Sequence, residues 1–221
     1  MNLFETLMPL LAGLLALAIS LFLIKVYLQK HKIHHFLWAI GMFLWAISDF
    51  TQLYAFLSPW NVPVYLAYFF SSIMLAGFLG AGTLCLIFPK IKVSVWYIWF
   101  NIVASVALMI TIIVSPLNLS ALKAAVTGSN PETSVVANII AGIVNVLALI
   151  TFAGGALYSL IRTKKLYALF ILLGAIIPAV GGTLATIAIP GFLPFTDFFG
   201  ILFLGVGFYL SFNAKPIGKK N

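Results

Sequence analysis

The sequence predicts an all-α fold: a polytopic membrane protein forming one seven-transmembrane-helix bundle over residues 1–221, N-terminus outside and C-terminus cytoplasmic. Three observations carry this expectation. The chain is 63% hydrophobic and 7% charged, with a mean hydropathy of +1.18, whereas a soluble domain averages about 25% charged residues. Its apolar residues gather into runs of the about 20 residues that cross a bilayer as helix. Its positive charges fall at alternate breaks between those runs.

Span 1, roughly 6–29, contains "LLAGLLALAISLFLI". That run has none of the alternation a membrane barrel strand needs. It also lacks the basic start, short apolar stretch and small-residue cleavage site of a signal peptide. "KVYLQKHKIHH" leads to span 2, roughly 36–57, and "SPWNVP" to span 3, roughly 63–88. "FPKIK" opens span 4, roughly 93–116, and a polar segment at 117–134 precedes span 5, roughly 135–161. "RTKK" then leads to span 6, roughly 167–189, and "PGFLP" to span 7, roughly 195–213. "TGSNPE" gives the long segment turn character, and "NLS" at 118–120 matches a glycosylation acceptor. That acceptor lies too near the membrane to be expected in use.

Charge sets the expected orientation. Lys25, Lys30, Lys32, Lys90, Lys92, Arg162, Lys164, Lys165, Lys215, Lys219 and Lys220 all fall on one side, and Lys123 alone on the other. Basic residues mark the cytoplasmic side, so the net charge of +8 belongs to a cell-membrane protein's inner rim. Lipid headgroups account for it without nucleic acid. Glu5, Glu132 and Asp197 lie at or near the outer boundary, and Asp49 in the outer half of span 2. The single cysteine, Cys85, allows no disulfide within the chain.

The 3+1+3 order invites a search for repeated halves, as in many transporters. "YFFSSIMLAG" (68–77) aligns with "DFFGILFLGV" (197–206) through paired phenylalanines and general apolarity. Ala76, Gly77, Gly80 and Ala81 are spaced as in small-residue helix interfaces, and Gly154, Gly155, Gly205 and Gly207 suggest the same. Pro178, followed by Gly181 and Gly182, predicts a kink in span 6 and a candidate hinge there.

Asp49 is the leading functional candidate, because an ionisable group at the centre of a span costs about 2.5–3.5 kcal/mol on insertion scales. Gln52 lies three residues on and shares its helix face, together with Trp38, Trp45 and Phe56. Polar stripes fall at the same depth elsewhere: Tyr65, Tyr68 and Ser72 in span 3, Asn138 and Asn145 in span 5, Thr186 and Asp197 near the outer ends of spans 6 and 7. Two readings stand side by side. The stripes join helices by hydrogen bonds worth about 0.6 kcal/mol each, or they line an outward-facing polar pocket. No span carries a lysine or arginine to neutralise Asp49. Protonation, or hydrogen bonds from Tyr, Asn or Gln, would accommodate it; a bound cation or another subunit's basic residue would also serve.

Other chemistries find little support. His31 and His35 share a face if both are helical, yet they lie among lysines with no acid or cysteine beside them, so no metal site is expected. No histidine lies deep enough for haem, and no nucleophile–base pairing or phosphate loop appears. Asp49 and Asp197 lack the sequence surroundings of an aspartyl dyad. The topology is similar to that of microbial rhodopsins, which carry a retinal-linking lysine four residues after an aspartate of the last span. Here that position is Ile201, so retinal is excluded, and no cofactor is expected.

The sequence therefore leads to a non-enzymatic carrier or binder of a small polar solute or cation. Asp49, Gln52, Tyr65, Tyr68, Ser72, Asn138, Asn145 and Asp197 would form its pocket. The alternatives are an accessory subunit of a larger membrane complex, a homo-oligomer among its possible states, and a sensor without its own output domain.

Overall fold

Backbone amides cannot stay unpaired in hydrocarbon, so each apolar run must close its own hydrogen bonds as a helix. In the computed structural model they do so as α1 (Leu3–Lys30), α2 (Ile33–Leu57), α3 (Val62–Ile87), α4 (Lys92–Val114), α5 (Val135–Thr163), α6 (Leu166–Thr186) and α7 (Phe192–Asn213). The structure describes residues 3–89, 92–115, 134–186 and 192–213, with side chains described from residue 6 and, in α6, as far as 182. Asn118, Lys123, Glu132, Lys90, Lys215, Lys219 and Lys220 lie outside those residues, as do the side chains of Glu5 and Thr186. Six described helices are long and apolar enough to cross a membrane, and α6 adds a shorter apolar stretch, Leu166–Gly182. The described residues are those of an all-helical membrane protein, and their count of seven helices agrees with the sequence.

Two bends at the basic end are built alike. His31 and Lys164 each adopt a left-handed conformation, with φ of 50° and 51°. Each donates its backbone N–H four residues back, His31 to Tyr27 at 2.7 Å and Lys164 to Leu160 at 2.8 Å. The left-handed residue ends the helix without its usual glycine, and one further lysine starts the next. His31 therefore lies in a linker and not on α2, so it shares no helix face with His35.

Packing closes a ring. α1 lies against α2 and α7, α2 against α3, α3 against α5, α5 against α6, and α6 against α7. α4 stands outside this ring on α3 and α5 and is the least buried span. Its outer face, with Trp96 and Trp99 exposed, suits lipid.

Small residues set the closest approaches. Gly207 admits the Ile171 side chain, and Gly174 lets α6 meet the Gly200 carbonyl of α7. A side chain at Gly200 would collide with the Pro178 ring, and one at Gly181 with the Thr196 hydroxyl. Gly80 and Gly155 serve α3 and α5 in the same way, receiving Thr151 and Thr83, whereas Gly154 and Gly142 meet nothing. Pro178 thus has two consequences. It removes a hydrogen bond from α6, and its ring fills the notch at Gly200.

Gly200→Val should therefore overpack this seam and cost about 1–3 kcal/mol. Thermal unfolding in micelles should place it several degrees below wild type, with Gly142→Ala within about 0.5 kcal/mol of it. Equal midpoints for both variants would contradict the packing described.

Candidate ligand cavity

A cavity of about 580 Å³ lies among α2, α3, α5, α6 and α7, reaching from the middle of the bundle toward the end away from the basic residues. Small side chains create the space. On α6, Gly174, Ala175, Pro178, Ala179 and Gly182 form one stripe along its wall, with the spacing of a single helix face. Ala76 of α3 and Ala148 and Ala153 of α5 continue it.

Helix α5 widens where it borders the cavity. A π-helical turn, Leu149–Ala153, interrupts it, and Leu149, Phe152 and Ala153 face the space. Such a turn displaces backbone carbonyls from their usual partners. Thr151 meets this need, its hydroxyl standing 2.8 Å from the Leu147 carbonyl and 3.2 Å from that of Ala148. The same hydroxyl lies 3.2 Å from that of Tyr97 on α4, and the Gly80 notch gives it room. The π turn is therefore held from two neighbouring helices.

The predicted site residues separate into two layers. Tyr68, Ser72, Asn145 and Asp197 line the cavity, with Ser48, Trp45 and Phe152 beside them. Asp49, Gln52 and Tyr65 do not line it; they lie behind the wall, exposed by 1%, 2% and 0%. Asn138 shares Asn145's face two turns away, but it is exposed and outside the lining. The adjacent glycines also part: Gly182 borders the cavity with open space at its Cβ position, whereas Gly181 is buried on α7.

Behind the wall the polar groups are under-satisfied. Asp49 Oδ2, Gln52 Nε2 and the Tyr65 hydroxyl are buried without a hydrogen-bond partner among the described residues. Buried polar atoms normally find one, so three together mark a local polar cluster and not hydrocarbon packing. Tyr65 is fixed by its ring, which stacks on Phe69 at 5.9 Å and meets Trp60 edge-on at 5.9 Å. Asp49 and Tyr68 both lie within electrostatic reach of Asp197, so the wall and the buried layer belong to one polar centre.

The described basic side chains do not approach this centre. Lys25, Lys30 and Lys32, Lys92, and Arg162, Lys164 and Lys165 all lie at the opposite helix ends. Asp49 and Asp197 therefore have no described cation to neutralise them. A proton or an external cation is what balances them. Aromatic faces at Trp45, Tyr68 and Phe152 add the quadrupole that attracts organic cations.

Sequence reasoning found Tyr68, Ser72, Asn145 and Asp197 but not Ser48 or Phe152 as wall residues. The stripe from Gly174 to Gly182 was readable and points to a wall as well as to a hinge. Against known proteins, no family model, curated protein or solved structure matches the chain.

Water reaching the cavity should reach Ser72 but not its neighbour Ser71, which is fully buried. In a Cys85→Ala background, Ser72→Cys should react with a small charged thiol reagent at least about tenfold faster than Ser71→Cys, since reactivity follows exposure. Equal rates would contradict an accessible cavity.

Proposed function

We propose that this protein binds a small cation or polar solute in the cavity and acts as a membrane carrier for it. One observation carries the reading: Asp197 stands in the wall of a ligand-sized, largely apolar cavity, backed by Asp49, with no described basic side chain near either. Pockets for small ligands measure about 300–1,000 Å³ and combine apolar walls with a few polar groups. An ammonium group fits this one best. Asp197 would take the charge, Asn145, Ser48 and Ser72 would supply hydrogen bonds, and the aromatic wall would cover the apolar part.

The charge pattern supports the orientation of this carrier. Basic residues favour the cytoplasmic side; with that end inside, the far end, where Asp197 lies, would face the outside of the cell membrane. Movement would centre on α6, where Pro178 breaks the backbone ladder and Gly181 and Gly182 follow. The notch between Pro178 and Gly200 would keep α6 and α7 moving as a pair. No catalytic group enters this reading.

The test is calorimetric titration of the micelle-held protein with small primary and quaternary amines and their uncharged isosteres. Amines should bind better than the isosteres. Asp197→Asn should weaken them by about ten- to a hundredfold, the worth of a hydrogen bond to a charged group. If neither amine class binds, or if Asp197→Asn binds them unchanged, the assignment is wrong.

A further inference from the structure

A second, smaller cleft lies at the basic end, where α1, α2 and α7 meet. It measures about 130 Å³ and belongs to no part of the cation cavity. Its rim carries two cations, Lys30, which closes α1, and Lys32, the linker residue, with the imidazoles of His34 and His35 beside them at the start of α2. Its floor is apolar, formed by Leu23 and Val26 of α1, Trp38 of α2, and Phe208 and Phe212 of α7.

Several details fix this rim in place. The Lys30 ammonium sits 4.0 Å above the Phe212 ring, which holds a flexible side chain over the cleft. The His34 and His35 rings lie 4.2 Å apart. His35 Nδ1 is buried without a hydrogen-bond partner among the described residues. The N-cap residue of α2, Lys32, makes no side-chain cap; its carbonyl takes the His35 N–H at 3.0 Å, and the start of α2 turns the positive pole of its dipole toward this end. Trp38 braces the floor, its indole donating to the Leu79 carbonyl at 3.2 Å and its ring lying 4.9 Å from Phe208.

We infer that this cleft holds the phosphate of an anionic phospholipid. Cationic donors and an uncapped helix start suit a phosphate oxyanion. A free phosphate would be met equally by the rim, but it would leave the apolar floor unused. A lipid headgroup uses both, with its glycerol and first acyl carbons lying along Val26 and Phe212. The cleft joins the first helix pair to α7, so an occupying lipid would bridge the seam that closes the ring.

The test is native mass spectrometry of the intact protein in micelles, supplied with phosphatidylglycerol, phosphatidylcholine or inorganic phosphate alone. Phosphatidylglycerol should be retained about tenfold or more over phosphatidylcholine, since each nearby basic residue contributes about 1 kcal/mol toward an anionic lipid. Lys30→Gln combined with Lys32→Gln, both exposed positions, should abolish that preference. Lys92→Gln combined with Arg162→Gln removes equal charge from the same end outside the cleft and should preserve it. His35→Gln should weaken retention while leaving phosphatidylcholine unchanged. Equal loss in both double variants would reduce the effect to general surface charge and overturn the site. Displacement of the lipid by inorganic phosphate would make it a free-anion site and overturn the lipid assignment.

Discussion

A carboxylate placed inside a membrane protein must be shielded from lipid, and much of this bundle is arranged around that requirement. Asp49 sits on a membrane span, where an ionisable side chain exposed to hydrocarbon costs up to about 2.5–3.5 kcal/mol, the figure for the membrane centre. Its helix, α2, and the adjoining α3 are the most buried in the protein. Placing Asp49 inside brings it under the influence of Asp197 from α7, and the two acids share a region that no described lysine or arginine reaches. The space beside them follows from side-chain size: a stripe of glycine, alanine and proline on α6 cannot fill the centre of a six-helix ring.

The same small residues carry a second duty on their other face. Gly181 and Gly200 hold α6 and α7 in direct contact, while Gly182 and Ala179 leave the cavity open. Adjacent residues on one helix thus separate the packed seam from the cavity wall. Polarity divides along the membrane normal in a similar way. Described cations collect at one end, and Asp49 and Asp197 lie toward the other.

Much of this was legible in the sequence, for physical reasons. Seven apolar runs are visible because lipid demands length and composition, and Asp49 stands out because hydrocarbon tolerates so few charges. The buried stripe of Trp38, Trp45, Asp49 and Gln52 followed from helical spacing alone. Other features depend on which helices meet. Asn138 and Asn145 share a face, yet only Asn145 reaches the cavity. His31 carries a side chain that gives no hint of its left-handed backbone. The π turn in α5 rests on Thr151 hydrogen-bonding carbonyls of its own helix beside a notch at Gly80, a pairing between spans that periodicity cannot reveal. The peripheral place of α4 is equally invisible, since its composition matches that of the ring helices.

The central claim is that the cavity carboxylate meets a cation directly. Infrared difference spectroscopy on micelle-held protein, recorded on adding a small ammonium ligand and assigned with Asp49→Asn and Asp197→Asn, reads that contact. The account predicts a change in the aspartate carboxyl or carboxylate bands that disappears in Asp197→Asn. A spectrum in which bound ligand perturbs no aspartate band would contradict it.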